Sequence, residues 1–375
     1  MGIPFFELQA TSGKARAAVI HTAHGDIATP IFMPVGTRGA VKTLQMEELE
    51  AFDYPIILGN TYHLYLRPGH ALIDRMGGLH KFISWPHAIL TDSGGFQVYS
   101  LAKLRKISAA GVEFRSHIDG SLHFLGPQES MAIQKALGSD IVMAFDECPA
   151  LPATSEQLRQ AIERTIAWAK KCREFPLQEH QHLFGIVQGG LDLALRQECL
   201  ARLQEIGFAG YALGGLSVGE TPAEMKALLD AFADQLPADA PRYLMGVGTP
   251  SDLVEAVHAG IDMFDCVLPT RNARNGQALT RKGPLNIRLA KYKEDARPLD
   301  ERCACSVCRR YSRAYLRHLH LVGEQLAGQL LSLHNLYYYR QLVRQMREAI
   351  AQQRFDDFYQ NFYKDYAIDG VQDGP

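Results

Sequence analysis

Three carboxylates lie at the ends of short apolar runs, where two of them together can make and break a glycosidic bond. Asp92 begins an Asp-Ser-Gly-Gly sequence, Asp146 follows the apolar run that starts at residue 141, and Asp265 follows the run that starts at residue 261. Glycoside chemistry uses one carboxylate to attack or stabilise the sugar carbon and another to move protons. An Asp-Ser-Gly-Gly sequence is equally compatible with a plain turn. A fold that joins these carboxylates in one pocket is therefore needed for the chemistry.

Residues suited to a planar base and to RNA accompany these carboxylates. Residues 187–190 and 213–216 offer a glutamine amide and bare glycine backbone, which suit the hydrogen-bonding edge of a heterocycle. Residues 269–274 follow Asp265 and carry two arginines and an asparagine, which suit phosphate and base contacts. A loop held by ion pairs would have the same composition. The pattern favours a nucleoside-like substrate without excluding that alternative.

Three of the seven cysteines are concentrated in six positions. Cys303, Cys305 and Cys308 can converge on one tetrahedral ion, with the fourth ligand supplied from elsewhere in the chain. The nearby candidates are His318, His320 and His334, and the spacing alone leaves the choice open. A site with three cysteines and one histidine has no open coordination position. We therefore expect a structural metal, with zinc as the ion.

Short apolar runs that end in polar or glycine residues recur along the chain and predict strands. Runs of this length without strict alternation are typical of strands buried on both faces. The predicted strand segments are 55–60, 88–93, 141–147, 183–189, 211–216, 243–248 and 261–266. Helical spacing of apolar residues separates several of them and predicts helices over 155–172, 192–206, 222–235 and 250–258.

The alternation of strands and helices predicts a parallel sheet, either open or closed into a barrel. Polar or glycine residues follow six different predicted strands: Asn60, Asp92, Asp146, Gln188, Gly215 and Asp265. A closed barrel brings all of these strand ends to one pocket, whereas an open sheet does not. We therefore predict an α/β fold, a (β/α)8 TIM barrel with a C-terminal zinc-binding helical subdomain.

Composition excludes several classes of protein. The chain has 375 residues, of which 47% are hydrophobic and 21% charged, as in ordinary globular proteins rather than disordered or coiled-coil chains. It has no apolar stretch long enough to cross a membrane and no signal-peptide pattern at its N-terminus. The seven cysteines are an odd number, which disfavours a disulfide framework. We expect a cytoplasmic protein with no membrane partner.

Charge is distributed unevenly along the chain. The formal net charge is −2, but the segment 271–317 carries 13 basic residues against 4 acidic ones. A basic face on an otherwise acidic body would suit a nucleic acid, although a solvated surface with chance clustering would have the same composition. We expect residues 1–280 to form the barrel with its catalytic pocket. Residues 281–375 are expected to form the zinc-binding subdomain and the C-terminal helices packed on the barrel.

The motifs, taken together, resemble those of the bacterial tRNA-guanine transglycosylase family over nearly the whole chain. They are TDSGGFQ at 91–97, FDEC at 145–148, GIVQGG at 185–190, ALGGLSVGE at 212–220, YLMGVGTP at 243–250, FDCVLPTRNARNG at 264–276 and CxCxxC at 303–308. The resemblance implies exchange of the wobble guanine, position 34 of GUN anticodons, for 7-aminomethyl-7-deazaguanine (preQ1) in queuosine biosynthesis. It further implies a double displacement through a covalent ribosyl-aspartate intermediate, with guanine as the departing base and a homodimer as the assembly.

The resemblance also implies a role for individual residues. Asp265 would be the nucleophile that attacks ribose C1′, and Asp92 the general acid and base. The implied base-binding residues are Ser93, Gly94, Gly95, Phe96, Asp146, Gln188, Gly215, Leu216 and Met245. The implied tRNA-binding residues are Gly246, Val247, Gly248, Thr249, Pro250, Ser251, Asp252, Thr270, Arg271, Asn272, Ala273 and Arg274. The implied zinc ligands are Cys303, Cys305, Cys308 and His334. Phe96 stands where the family often has tyrosine, which keeps base stacking but removes a hydroxyl.

Two other functions are compatible with parts of the pattern. A TIM-barrel glycosidase acting on sugars would use the same carboxylate pair, but the cysteine cluster and the basic segment disfavour it. A non-catalytic tRNA-binding relative would lack the nucleophile, whereas Asp265 is present. Release of guanine from tRNA, rather than release of sugar, would discriminate between the first alternative and the transglycosylase.

Overall fold

The computed structural model describes residues 3–101, 105–149 and 152–366. Within these ranges the chain builds a parallel barrel surrounded by helices, together with smaller antiparallel sheets. The strands are β1 (Phe6–Ser12), β2 (Ala15–Thr22), β3 (Gly25–Thr29), β4 (Ile31–Met33), β5 (Val35–Gly36), β6 (Ile56–Gly59), β7 (Ala88–Thr91), β8 (Arg105–Ile107), β9 (Val112–Arg115), β10 (Leu122–Leu125), β11 (Ile141–Met143), β12 (His182–Val187), β13 (Gly210–Leu213), β14 (Arg242–Leu244), β15 (Met263–Asp265), β16 (Gln277–Thr280) and β17 (Gly283–Asn286).

The helices alternate with the barrel strands and then dominate the C-terminal part. They are α1 (Met46–Glu50), α2 (Thr61–Leu66), α3 (His70–Arg75), α4 (Leu79–Ile83), α5 (Gly95–Leu101), α6 (Pro127–Leu137), α7 (Ser155–Glu174), α8 (Leu193–Ile206), α9 (Pro222–Phe232), α10 (Pro250–His258), α11 (Leu268–Arg274), α12 (Ser306–Arg310), α13 (Arg313–Leu321), α14 (Gln325–Ala351) and α15 (Phe355–Tyr366). Within the described ranges, none of them combines the length and apolar character that a membrane crossing needs.

The barrel closes through a strand that is split at one residue. β4 pairs with β15 and β5 pairs with β6, and only Pro34 separates β4 from β5. Proline has no N–H to donate and so interrupts the ladder, while its carbonyl accepts a hydrogen bond from Leu58 N at 3.0 Å. With β4 and β5 taken as one strand, the described residues form a closed ring of eight parallel strands. The predicted (β/α)8 barrel is confirmed.

Side chains along each barrel strand alternate between the barrel interior and the surrounding helices. In β6, for example, Ile56 and Leu58 belong to the interior cluster, whereas Ile57 packs in the layer shared with the helices. Both layers are apolar, which explains why the strands read as continuous apolar runs. The same alternation, continued to the carboxyl ends of the strands, directs a set of residues into the barrel mouth: Asn60, Asp92, Gln188, Met245 and Asp265.

Local signals in the sequence account for the helices around the second half of the barrel. The hydroxyl of Thr154 accepts a hydrogen bond from Gln157 N at the start of α7, and Thr221 and Thr249 cap α9 and α10 in the same way. The Asp192 carboxylate caps α8. All four predicted helices are present, with ends within three residues of the prediction. The largest difference is at the end of α9, because residues 233–235 form a 3₁₀ turn instead of a continuation of the α-helix.

Three antiparallel sheets were not foreseen from the sequence; one of them, the pair β16 and β17, follows the last barrel strand. β1, β2 and β3 form a meander whose Ile20 and Ile27 extend the interior cluster at the amino end of the barrel. β8, β9 and β10 form a second sheet between α5 and α6. Both interrupt the strand–helix alternation on which the sequence prediction rested, and neither contributes a strand to the barrel.

The C-terminal part packs directly on the barrel through α14. The Tyr339 ring lies 4.6 Å from the Phe32 ring, centroid to centroid, and the Tyr339 hydroxyl donates to the carbonyl of Gly248. The division into residues 1–280 and 281–375 stays a prediction, and its outer limits and residues 102–104 and 150–151 lie outside the described residues.

Candidate active site and metal centre

A cavity of about 470 Å³ opens at the carboxyl ends of the barrel strands. Its walls come from the ends of many strands, which a closed barrel brings together. The predicted site residues that line it are Asp92, Ser93, Phe96, Asp146, Gln188, Gly215, Leu216, Met245, Gly246, Asp265 and Arg271. The cavity is the place where the three predicted carboxylates meet, so the central geometric expectation of the sequence is met.

Asp92 is buried in the cavity wall and receives three hydrogen bonds. Its Oδ2 accepts from the Asn60 amide at 2.5 Å and the Gln97 amide at 2.8 Å, while its Oδ1 accepts from Thr61 N at 2.8 Å. Burial raises the pKa of Asp92 to about 6 even though these donors lower it, and the charge of Asp265 raises it further. A carboxyl group with this pKa can hold or release a proton near neutral pH.

Asp146 and Gln188 form a hydrogen-bonded pair at the carboxyl ends of the neighbouring strands β11 and β12. The Gln188 amide donates to Asp146 Oδ2 at 2.7 Å, and the Ser93 hydroxyl donates to Asp146 Oδ1 at 3.0 Å. Burial raises the pKa of Asp146 to about 6. The Oε1 atom of Gln188 is buried without a hydrogen-bond partner among the described residues. A ligand with an N–H group facing this oxygen would satisfy it.

Asp265 is held on one oxygen and open on the other. Its Oδ1 accepts from the Tyr243 hydroxyl at 2.6 Å and from Gly246 N at 2.8 Å. No described residue donates to Oδ2, and the side chain keeps part of its surface open to the cavity. Burial raises the pKa of Asp265, and the two donors lower it in part. Because Tyr243 is fully buried and its own pKa is raised well above 10, it remains a donor.

Phe96, Met245 and the glycine loops shape the space between the carboxylates. Phe96 is 47% exposed and Met245 is half-buried, and both line the cavity as apolar surfaces for a flat ligand. Gly95 approaches the backbone closely, because a Cβ there would lie 2.8 Å from the carbonyl oxygen of Asp146. Gly94 has a φ of +79°, a conformation that glycine adopts readily. Neither glycine lines the cavity.

The predicted tRNA-binding segments each contribute one residue to the cavity lining, Gly246 and Arg271, but several of their side chains are buried. Val247, Pro250, Thr270 and Ala273 are buried, so their contact with RNA would have to use backbone atoms. In the first segment, the Gly248 carbonyl accepts the hydrogen bond from the Tyr339 hydroxyl. Thr249 and Asp252 form the capping box at the start of α10, and the Ser251 hydroxyl is hydrogen-bonded to the Thr249 hydroxyl. In the second, Asn272 bonds Gln277 and Arg274 donates to the Thr270 carbonyl. Arg271, which lines the cavity, is the predicted cation closest to the carboxylates.

The four predicted metal ligands converge on one point. The Nδ1 atom of His334 lies 3.7 Å from Cys303 Sγ, 3.5 Å from Cys305 Sγ and 3.3 Å from Cys308 Sγ. A tetrahedral ion with bonds of about 2.3 Å to sulfur and about 2.0 Å to nitrogen separates such atoms by about 3.6 Å. The Nε2 atom of His334 lies 3.0 Å from the Leu279 carbonyl, which directs Nδ1 toward the sulfurs. This cluster can hold a metal ion.

The cluster ties α14 to the segment that leads out of the active site. Next to His334, the Asn335 side chain accepts from Leu279 N at 2.7 Å and donates to the carbonyls of Pro269 and Gln277. Pro269 lies in α11, which carries Arg271 and begins three residues after Asp265. An ion bound to the cluster would thus stabilise the packing that supports one wall of the cavity.

A family model described as queuine tRNA-ribosyltransferase matches residues 11–368. The chain belongs to the queuine tRNA-ribosyltransferase family. Similar proteins bearing that name come from Caldanaerobacter subterraneus subsp. tengcongensis, with 56% identity covering 94% of each chain, and from Novosphingobium aromaticivorans, with 55% identity covering 96% of this chain and 98% of the relative. The relative from Ruegeria sp. (strain TM1040) is 54% identical over 98% of both chains. The family resemblance predicted from the motifs is confirmed.

Sequence reasoning missed the residues that hold the carboxylates of this family member. Tyr243 and Gln97 were not predicted to lie in the site, and Asn60 was predicted at the pocket but without a role, although each hydrogen-bonds a predicted catalytic carboxylate. The alternation rule would have found Tyr243, because it points into the barrel two residues before Met245. Gln97 ends the quoted TDSGGFQ motif, so its polarity was available as a signal.

Proposed function

We propose that this protein is a tRNA-guanine transglycosylase that exchanges guanine 34 of GUN anticodons for preQ1 in queuosine biosynthesis. Its tRNA substrates are those that accept aspartate, asparagine, histidine and tyrosine. Family membership supports the enzyme class. The observation that carries the chemistry is the open Oδ2 atom of Asp265 in a cavity that also contains Asp92, a carboxyl group with a pKa of about 6.

In the first displacement, Asp265 Oδ2 forms a bond to ribose C1′ while the bond from C1′ to guanine N9 breaks. The departing guanine takes the proton that Asp92 holds, so guanine leaves as a neutral molecule and Asp92 becomes a carboxylate. The hydrogen bonds from Tyr243 and Gly246 to Oδ1 keep the attacking carboxylate oriented. The product of this step is a covalent ester between ribose and Asp265.

In the second displacement, N9 of the incoming base attacks C1′ and the ester bond to Asp265 breaks. The incoming base loses its N9 proton to Asp92, which returns to its starting state. Two inversions at C1′ retain the configuration of the nucleoside, as in retaining glycosidases. One proton-carrying residue therefore serves both half-reactions, and neither half-reaction requires an oxidant or a reductant.

Base recognition in this proposal uses the groups around Asp146. Phe96 and Met245 stack on the two faces of the base, and the open Oε1 of Gln188 accepts an N–H from its edge. Asp146 and the backbone at Gly215 and Leu216 supply the remaining polar contacts. Ser93 acts by holding Asp146, to which it donates a hydrogen bond.

Replacement of Tyr243 by phenylalanine should weaken catalysis without disturbing the fold. The substitution removes the hydroxyl that donates to Asp265 Oδ1 and leaves the ring in place. Loss of a hydrogen bond to a charged group is worth about 1.5–3 kcal/mol, so kcat/KM should fall by roughly 10- to 150-fold. Because this hydrogen bond lowers the pKa of Asp265, the acid limb of the pH profile should move to higher pH.

The measurement is kcat/KM for guanine exchange across pH 4–9 for wild type and Tyr243→Phe. Asp265 acts as a carboxylate, so activity disappears as the pH falls through its pKa, and removal of a donor raises that pKa. Tyr54→Phe is the matched control, because Tyr54 is also fully buried and donates to the backbone carbonyl of Leu336, and neither residue lines the cavity. An unchanged acid limb in Tyr243→Phe would remove Tyr243 from the positioning of Asp265.

The tRNA is proposed to lie across the barrel mouth, with Arg271 and the neighbouring basic segment against its phosphates. Phosphate contacts supply affinity and orientation, whereas the base pocket supplies specificity. Gly246 and Arg271, one from each predicted tRNA-binding segment, line the same cavity, which supports this part of the proposal. The proposal includes assembly as a homodimer, which the family resemblance implies, and a location in the cytoplasm, which the sequence composition favours.

The metal is proposed to be zinc with a structural role, bound by Cys303, Cys305, Cys308 and His334. Three thiolates and one imidazole at tetrahedral spacing suit zinc, and such a closed site has no position left for substrate. These four residues would bind the ion and thereby hold the loop before α12 against α14. The ion takes no part in either displacement.

Cys308→Ser should lower zinc content and stability together. Loss of a structural metal ligand is among the largest destabilising changes known for single substitutions, and we expect ΔG of unfolding to fall by more than about 3 kcal/mol. Metal content per chain and the urea midpoint are the two measurements. Cys199→Ser serves as a control, since Cys199 is a buried cysteine outside the cluster. Full zinc content in Cys308→Ser would show that the ligand set is wrong.

The function is tested by incubating the enzyme with an anticodon stem-loop containing G34 and labelled guanine. Incorporation of label at position 34, and its loss when U33 or U35 is replaced, are the expected results. A glycosidase would release sugar from glycoside substrates and leave the stem-loop unlabelled. A non-catalytic tRNA-binding protein would bind the stem-loop with no exchange in either direction.

A further inference from the structure

Arg196 is a fully buried cation that has no carboxylate partner among the described residues. It is 0% exposed and lies in α8, behind the wall of the cavity that contains Gln188 and Gly215. Its guanidinium donates from Nε to the Gly190 carbonyl at 2.7 Å, from Nη1 to the Val187 carbonyl at 3.1 Å and from Nη2 to the Gly214 carbonyl at 2.9 Å. Burying a charge is costly unless the charge is paired or hydrogen-bonded, so these three hydrogen bonds are what offset the cost at Arg196.

The three carbonyls belong to the two loops that carry base-reading groups. Val187 and Gly190 bracket Gln188, and Gly214 directly precedes Gly215. In a trans peptide the C=O and N–H groups point in opposite directions. The bond from Arg196 to the Gly214 carbonyl therefore turns the N–H of Gly215 away from Arg196 and toward the thiol of Cys148, which lines the cavity.

Close packing makes the two loops move together. A Cβ at Gly189 would lie 2.8 Å from the backbone nitrogen of Arg196, so this loop is pressed against the start of α8. Cβ atoms at Gly214 and Gly215 would each lie 2.6 Å from the amide group of Gln188. The Gln188 side chain thus lies directly on the Gly214–Gly215 backbone. A shift of either loop would displace both the amide of Gln188 and the N–H of Gly215.

We propose that Arg196 is a positioning residue for base recognition. It acts by holding the loop of Gln188 and the loop of Gly215 in a fixed position relative to each other. The inference rests on the proposed function, because it assigns these loops to the base. Only a planar guanidinium presents donors in a fork that reaches three carbonyls of two loops at once. A lysine would keep the charge but reach fewer carbonyls, and a glutamine would keep a planar donor without the charge.

The test compares Arg196→Lys and Arg196→Gln with wild type in three measurements. The apparent KM for free guanine should rise about tenfold or more, the size expected when one well-placed hydrogen bond is lost. The Kd of an anticodon stem-loop should change by less than about threefold, because phosphate contacts dominate its affinity. The thermal midpoint reports the structural contribution separately. A role confined to stability would move the midpoint and leave the KM for guanine unchanged.

Arg242→Lys is the matched control. Arg242 is 5% exposed and its side chain likewise donates to backbone carbonyls, those of Asp234, Leu236, Pro237 and Gly260. It begins β14 and therefore lies at the amino end of the barrel, away from the cavity. Its substitution should lower the thermal midpoint by an amount similar to that in Arg196→Lys, with the KM for guanine as in wild type.

The outcomes separate this inference from the proposed function. Absence of guanine exchange in wild type would overturn the proposed function and, with it, the role given to these loops. Exchange in wild type, together with an unchanged KM for guanine in both Arg196 variants, would overturn the inference alone. Failure of both Arg196 variants to fold, while Arg242→Lys folds, would assign Arg196 a structural role and would also overturn it.

Discussion

Asp265→Asn is expected to abolish guanine exchange, with a loss of roughly 10⁴- to 10⁶-fold in kcat, as for other enzymes that lose their nucleophile. The structure makes this substitution a clean test. The two hydrogen bonds at this side chain, from Tyr243 and Gly246, both go to Oδ1. The Oδ1 atom of asparagine accepts the same two bonds, and its NH₂ group takes the place of the open Oδ2. Geometry is kept and nucleophilicity is lost.

The direct measurement is the covalent intermediate. Wild type incubated with an anticodon stem-loop and no incoming base should accumulate a protein–RNA adduct that survives denaturing electrophoresis. Asp265→Asn should form none, while binding the stem-loop with similar affinity, since removal of a negative charge does not weaken attraction to phosphates. An adduct in Asp265→Asn combined with none in Asp92→Asn would mean that the two roles are exchanged.

Asp92→Asn is expected to slow both half-reactions, with kcat/KM lower by roughly 10²- to 10⁴-fold, the usual contribution of a general acid or base. Asp92 has the pKa required for the role, about 6, because burial outweighs the three hydrogen bonds that it accepts. Asparagine neither donates that proton to departing guanine nor accepts one from the incoming base. Asp265 remains intact in this variant, so the adduct should still form, slowly.

Single-turnover kinetics across pH distinguish this role from simple damage to the site. In wild type, adduct formation should slow as the pH rises above about 6, because Asp92 loses the proton that guanine needs. Asp92→Asn should lack this basic limb. Asn60→Asp and Gln97→Glu are not suitable controls, because each would place a second carboxylate beside Asp92. Tyr54→Phe again provides the remote buried control. A basic limb that persists unchanged in Asp92→Asn would assign the proton transfer to another group.

The barrel and its mouth were predictable because their signals are local and repeated. Each strand is a short apolar run, and helix caps such as Thr154 and Thr221 lie a fixed few residues from the helices they start. The polar residue after each run indicates which end of the barrel binds substrate. The antiparallel sheets were not predicted because β1–β3, β8–β10 and β16–β17 make a local pattern that differs from the repeat.

The pairings inside the site were not predictable, because they join residues that are distant in the chain. Asn60 donates to Asp92, Gln188 to Asp146 and Tyr243 to Asp265, and each pair comes from different barrel strands. The predicted barrel makes the two strands of each pair neighbours, but it does not determine which side-chain atoms bond between them. The same applies to Arg196, whose helical position reads as an ordinary surface charge, whereas the folded chain buries it against three carbonyls.

By itself the sequence determined the fold class, the family and the identity of the three carboxylates, since these depend on residue types and on periodicities of a few residues. It also determined the cysteine triplet, whose three thiols lie within one turn of chain. The family resemblance named His334 as the fourth ligand, and the structure confirms that it lies beside Cys303, Cys305 and Cys308. Only the tertiary structure decided that one oxygen of Asp265 remains open and that burial raises the pKa of Asp92. The physical reason is that burial, hydrogen-bond partners and electrostatic fields are properties of the packed chain, in which neighbours come from many separate segments.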